Sequence, residues 1–457
     1  MPRLPQIASF ARSYLRPEVF FSLAWRVSMA VAGLVSIYMI SHRLTPSEQG
    51  YWYTFDSLAV ARSVFELGFS MVLMQVASLE YPRLRWSGKL LEGDAESKAR
   101  LSALLRKSVL WYVCVAAVTL TVCIVAGDYL FGKQPPGVNW RLPWYLSAAM
   151  TCGLVALTPL GALLEGTGKL AAVAQMRLVD ALLSNTCMWI VLSRGGHLYA
   201  MATALGASLV FQGCWFGARH SFYRDLWQSF LPGARTFWRT HVWPFQKRIA
   251  VSFVSGYFIV QILNPMAFAI AGPVAAGRLG MTLTLSQGII TLATAVVKAS
   301  APRFGELIAL RQWKDLDRAF RLSIGQSLLI ASGLAVTIEL GIVAMNVFRP
   351  EAAVRILGPW PAACILAGAI LTCVNQALAI YLRAHKTEPL MVASIAVAVA
   401  NLPVGYVMLH WFGAPGAAVG YLLLNGILNC LWTSLIFRGH IRRRAAKAAA
   451  GAEYALI

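Results

Sequence analysis

The sequence predicts an all-α, polytopic membrane protein of about twelve transmembrane helices in two pseudo-symmetric six-helix lobes. Three observations predict it. Apolar stretches long enough to cross hydrocarbon as helices, which takes roughly 18–20 residues, recur from Val19 to Phe437. Basic residues concentrate in every second gap between these stretches, the pattern left by the positive-inside rule. Composition agrees: 58% of the 457 residues are hydrophobic and 13% charged, with a mean hydropathy of +0.62, where a soluble domain carries about 25% charged residues.

The predicted spans are 19–40, 48–70, 107–127, 143–164, 171–192, 198–218, 247–268, 274–297, 322–346, 360–382, 389–411 and 415–437. An even number of crossings puts both termini on one side. Thirty of the 40 basic residues then share that side and 7 the other, so the termini are expected in the cytoplasm. The net charge of +21 is thereby a topology signal, of basic loops facing anionic headgroups. It is spread over many short loops rather than gathered on one module, which argues against nucleic acid as a partner. No cleavable signal peptide is evident before the first span.

The gap on the basic side with six spans on either side divides the chain into an N-terminal lobe (1–218, spans 1–6), an interfacial linker (219–246) and a C-terminal lobe (247–457, spans 7–12) with a basic tail. The linker mixes aromatic and basic residues around Pro232-Gly233, the composition of a segment lying along headgroups. Internal symmetry supports duplication. Arg26 opens the first span and Pro46–Gly50 starts the second; Arg248 opens the seventh and Pro273–Gly277 leads into the eighth. Both are P-x-x-x-G turns after a span that begins with arginine.

Ionisable groups within the spans are the functional pointers, because each costs ~2.5–3.5 kcal/mol at mid-bilayer on insertion scales. Arg26 lies in the first span, Asp56, Arg62 and Glu66 in the second, and Arg177 and Asp180 in the fifth; Lys298 ends the eighth, and Glu339 stands in the ninth. Arg62 with Glu66, and Arg177 with Asp180, share a helix face and can pair to hold register. Arg26 has no acidic partner in its own span. A surplus of guanidinium, which never deprotonates and grips phosphate oxygens bidentately, suits an anionic ligand. A cation exporter would carry surplus carboxylate instead. Amides at Gln75, Gln261, Gln287, Asn375, Gln376, Asn401, Asn425 and Asn429 can line a polar passage or bond helix to helix.

Catalytic and metal signatures are missing. The eight cysteines lie in or beside spans without a C-x-x-C pair, and the seven histidines are isolated, so no metal, cofactor or catalytic residue is expected. Asp315-x-Asp317 sits on an amphipathic basic stretch, and Gly166–Lys169 lacks phosphate-loop spacing.

The segments 25–80 and 298–323 resemble the multidrug/oligosaccharidyl-lipid/polysaccharide (MOP) exporter superfamily, and best its polysaccharide branch, which includes O-antigen flippases of lipopolysaccharide assembly. The resemblance implies a non-enzymatic flippase of the bacterial inner membrane. Its substrate would be an undecaprenyl-pyrophosphate-linked oligosaccharide, carried to the outer leaflet by alternating access through a cationic cavity between lobes. Partners would be membrane lipid, the lipid-linked glycan and other polysaccharide-assembly proteins. Arg26, Arg62 and Arg177, with Arg248 and Lys298 as second-lobe counterparts, match the expected cationic lining. Asp56, Glu66 and Asp180 are candidates for ion coupling or structural pairing. The alternatives are a lipid II flippase, a drug exporter of the same superfamily, or a polytopic polymerase or ligase, for which the extracytoplasmic loops are short.

Overall fold

In the computed structural model, which describes residues 17–135, 137–229, 242–385 and 390–449, the chain is a multi-pass, almost wholly helical membrane protein. The helices are α1 (Pro17–Arg43), α2 (Pro46–Val60), α3 (Arg62–Glu66), α4 (Phe69–Glu80), α5 (Ala95–Phe131), α6 (Arg141–Gly166), α7 (Leu170–Ser193), α8 (Tyr199–Gly217) and α9 (His220–Gln228). The second half continues with α10 (Trp243–Val260), α11 (Leu263–Ala271), α12 (Pro273–Ala309), α13 (Trp313–Phe348), α14 (Pro350–Ala353), α15 (Pro359–Ala384), α16 (Met391–Tyr421) and α17 (Asn429–Ala449). A short hairpin, β1 (Leu84–Ser87) with β2 (Leu90–Gly93), pairs Leu84 with Gly93 across a turn where Gly88 takes φ +59°.

Seven helical stretches are long and apolar enough to cross a membrane, or nine when the bent pairs α2–α4 and α10–α11 each count as one span. One stretch, Met391–Arg444, is 54 residues long, about 80 Å of helix against a hydrocarbon core of ~30 Å. It holds a non-helical Gly413 (φ 63°, ψ −150°) and is long enough for two crossings. Helices α1 (27 residues) and α7 (24 residues) fall outside that set but are also long enough to cross. Arg177, Asp180 and Asn185 dilute the apolar content of α7, which is why it stands out less than its neighbours.

Local chemistry explains the helix boundaries. Thr45 and Glu48 close a capping box ahead of α2, with Pro46 in its first turn. Asp94 caps α5 by accepting from the Ser97 N–H at 2.9 Å. The second predicted span is broken: Leu67 (φ 56°) and Gly68 (φ 66°) are both left-handed, and the chain bends by 46°. The break frees the Leu67 carbonyl, which accepts from Gln246 Nε2 at 2.8 Å. The seventh span is broken too, by 42° after Val260. There Asn401 Nδ2 donates to the Phe258 and Ile259 carbonyls at 2.8 and 3.0 Å, and Asn425 Nδ2 to Ile259 at 3.1 Å. Without water in hydrocarbon, backbone groups freed by such breaks must find partners within the protein. These two amides therefore serve packing rather than a passage.

Two compact units result: residues 1–48 with 55–254, and residues 49–54 with 255–457. The first is built on Phe69, Leu73, Leu104, Tyr112, Leu163 and Val173, with Phe222 and Leu226 of α9 buried beneath the hairpin. Of the predicted linker, 230–241 lies outside the described residues. The second unit has one core around Ile289, Ala331 and Leu366 and another around Phe304, Phe320 and Tyr381. Residues 49–54 join it tightly. Gln49 Nε2 donates to the Gly277 and Arg355 carbonyls at 3.0 and 2.8 Å, and Gly50 lies against the Pro273 carbonyl with no room for a Cβ. The two P-x-x-x-G turns thus touch each other.

Candidate functional site

The intramembrane charges of the first unit sit on α2, α3 and α7. Arg62 opens α3, just after the end of α2, and is half-buried. It makes no ion pair among the described residues. Its charge acts on Asp56 of α2 and on Cys152 of α6, which places the three groups in one neighbourhood. Asp56 is accessible and likewise has no ion pair among the described residues.

The expected Arg62–Glu66 pair does not form. Glu66 turns forward across the break, accepting from the Tyr112 hydroxyl at 2.7 Å and the Ser70 N–H at 3.3 Å. The carboxylate thereby satisfies an amide in the first turn of α4, where the helix dipole favours negative charge. Arg62 is left without an ion pair or side-chain hydrogen bond among the described residues.

Arg177 does not pair with Asp180 either. Its Nη1 lies 2.8 Å from Oε1 of Glu165, at the end of α6. Asp180 instead accepts from Gln212 Nε2 of α8 at 3.0 Å, with Ser208 of the same helix beside it. Sequence reasoning missed Glu165, Tyr112 and Gln212. Only Glu165 left a signal, as a carboxylate closing an apolar span. Tyr112 and Gln212 meet their acids through tertiary packing, which no within-helix spacing reports.

Arg26 lies on α1 and Arg248 on α10, both in the first unit; their side chains are outside the described residues. Helix α1 packs along α7, and the two enclose an apolar cavity of about 500 Å³ lined by Phe20, Val31, Leu182, Asn185 and Trp189. In the second unit Lys298 is exposed on α12, and its charge acts on Cys373 of α15. Glu339 of α13 has a buried Oε2 without a hydrogen-bond partner among the described residues. No group of three metal-ligating side chains occurs among the described residues.

The fold is that of MATE family transporters. An inward-facing multidrug resistance MATE family transporter of the MOP superfamily matches 91% of this chain over 98% of its own, with a TM-score of 0.57 at 16% identity. A MOP superfamily transporter from Pyrococcus furiosus, described as having a binding pocket of reverse polarity that suggests a different function, matches at TM-score 0.57 and 14% identity over 92% and 95% of the two chains. A MATE protein in complex with MaL6 matches at TM-score 0.54 and 15% identity over 93% and 96%. No family model matches the chain, and no curated protein does. At these identities the likeness establishes the fold, the one expected from the superfamily resemblance, and leaves the polysaccharide branch undistinguished.

Proposed function

We propose that this protein is a membrane exporter working by alternating access, and that its substrate is an undecaprenyl-pyrophosphate-linked oligosaccharide moved across the inner membrane. The observation that carries the reading is Arg62: a half-buried guanidinium in a broken span, its neighbouring acid turned away to Tyr112 and Ser70. An uncommitted arginine at membrane depth is costly unless it meets an anion, and pyrophosphate matches its fork. Arg26, Arg177 and Arg248, in the same unit as Arg62, would add positive charge for the same group. A neighbour of the same fold is described as having a binding pocket of reverse polarity, which supports reading pocket charge from this chain's own residues. Asp56, the carboxylate on which Arg62 acts, is the natural place for a coupling cation or proton. The lipid tail would remain in the bilayer while the headgroup is held among arginines, which avoids the several kcal/mol that each unpaired polar group costs in hydrocarbon.

A drug exporter is the second reading, favoured by the MATE neighbours. Proteoliposomes containing the full chain separate the two. Translocation of a fluorescent polyprenyl-pyrophosphate glycan is expected, reduced about tenfold or more by Arg62→Gln, the loss of one charge-assisted contact. Transport of a cationic dye without glycan translocation would overturn the proposal in favour of drug export.

A further inference from the structure

A basic cavity lies at the α6–α7 turn of the first unit. It holds about 380 Å³ and is bounded by the hairpin (Trp86, Lys89), the α6–α7 turn (Lys169) and the α8–α9 corner (Trp215, Arg219, Phe222). Three cations line it, and no lining residue is acidic.

Two of the three cations are positioned over rings, and Lys89 is exposed at the rim. Arg219 stacks 3.4 Å from the Trp215 ring centroid and donates from Nη1 to the Trp215 carbonyl at 2.9 Å. Lys169 Nζ stands 4.4 Å from the centroid of Trp86. Trp86 is itself fixed, because its Nε1 donates to the Thr167 carbonyl at 2.7 Å and its ring packs 5.0 Å from Phe222. The turn that presents Lys169 passes through Gly168 at φ +86°, pressed against the Tyr81 ring where a Cβ would stand.

Nearby carboxylates are committed elsewhere: Glu165 to Arg177, Asp225 to Lys98 at 2.9 Å, and Asp94 to the cap of α5. Lys89, Lys169 and Arg219 have no acidic partner among the described residues. Burial among the aromatics pushes the Arg219 guanidinium below its ordinary range, a cost that an anion beside it would relieve.

We propose that this cavity binds a phosphate group, using Lys169, Arg219 and Lys89 as donors over a floor of tryptophan and phenylalanine. Ordinary basic loops face headgroups with mobile side chains. Here two of the three cations, Lys169 and Arg219, are held over rings at a half-open cavity, with guanidinium and ammonium donors left for a tetrahedral anion. Two sources share that chemistry: the headgroup of an anionic phospholipid, reachable where tryptophans sit at interfacial depth, and a soluble phosphate. The inference stands apart from the transport reading, because it is tested by binding alone.

The test uses the full chain purified in detergent. Native mass spectrometry counts adducts after exposure to phosphatidylglycerol or phosphatidylcholine, and calorimetry measures inorganic phosphate. The expected result is retention of phosphatidylglycerol over phosphatidylcholine, phosphate binding, or both. Phosphatidylglycerol alone assigns the lipid source, and phosphate alone the soluble one. Lys169→Gln with Arg219→Gln should lower the retained ligand at least about fivefold, while Arg303→Gln on α12 leaves it unchanged. Ala218→Glu, at an exposed lining position, adds a carboxylate without removing a cation and should abolish binding if the double variant fails to fold. The proposal is overturned if wild type binds neither ligand, if phosphatidylcholine is held equally well, or if the folded variants bind like wild type.

Discussion

Arg177 of α7 bonds Glu165 at the end of α6, with 2.8 Å between Nη1 and Oε1, and the two ends of the pair are unequally wet: 46% of the arginine side chain is accessible and 15% of the glutamate. An accessible cation can be resolvated when its partner is lost, whereas a mostly buried anion cannot.

The two single variants should therefore differ in the size of their cost. Arg177→Gln strands the Glu165 carboxylate and is expected to cost about 1–3 kcal/mol. Glu165→Gln keeps a hydrogen-bonding amide at the buried position and should cost less. Thermal melting of the purified chain in detergent reads the difference. Equal losses, or a larger one for Glu165→Gln, would show that the buried end of the pair does not control its energy.

Gly50 makes the tightest approach of the P-x-x-x-G turns. A Cβ there would overlap the Pro273 carbonyl, which is backbone and cannot rotate aside. Gly50→Ala should destabilise by about 1–3 kcal/mol through overpacking. Gly33→Ala in α1, where a Cβ meets nothing within 4 Å, should be neutral or gain up to about 1 kcal/mol from helix propensity. Matched melting curves test both, and a tolerated Gly50→Ala would mean that the two turns separate easily.

How far the sequence foretold the molecule depended on the range of the interaction. Hydropathy reports burial along one helix, so the spans were readable, as were the starts of α2 and α12, where Pro46 and Pro273 occupy the first turn. The breaks were not, because an apolar window runs smoothly through Leu67–Gly68 and Val260–Leu263 while φ reverses or the ladder opens. Spacing along a helix put Arg62 beside Glu66 and Arg177 beside Asp180. In the fold each acid instead meets a group from another helix: Tyr112 of α5 and Gln212 of α8. Helix-periodic reasoning cannot see partners that only tertiary packing supplies. The hairpin escaped for a related reason, since Leu84–Gly93 is too short and too charged to read as strand.

The amides at the seventh-span break give a third prediction. Asn401→Leu and Asn425→Leu preserve bulk but leave the Phe258 and Ile259 carbonyls without their donors. Each should cost about 1–3 kcal/mol, the penalty of an unsatisfied buried group. Asn401 serves two carbonyls and should matter more. Hydrogen exchange across 256–264 should accelerate in the same order, and unchanged protection would mean that the break is satisfied by other means.

Sidedness rests on the 30-to-7 partition of basic residues. In a cysteine-free background, Gln228→Cys in α9 should be protected from an impermeant maleimide in intact cells. Ser193→Cys, exposed at the end of α7, should be labelled. The reverse pattern would turn the chain over in the membrane and move both termini to the outside.

The last prediction separates Arg62 from Glu66. Because Glu66 bonds Tyr112 and the Ser70 N–H, its role is to close the broken span, and Glu66→Gln should lower the melting temperature and membrane abundance. Arg62 makes no ion pair among the described residues, so Arg62→Gln should leave both near wild type while surface polysaccharide in a deletion strain falls about tenfold or more, the worth of a charge-assisted contact to phosphate. Arg62→Lys keeps the charge and loses the fork, and should restore part of the export. The double exchange Arg62→Glu with Glu66→Arg should fail on both counts. It destroys the contacts across the break and moves the cation one turn, ~6 Å along the axis. Full export by Arg62→Gln at normal protein levels would remove Arg62 from the site. Loss of abundance with that variant would instead make it a structural residue, with the cationic reading left to Arg26, Arg177 and Arg248.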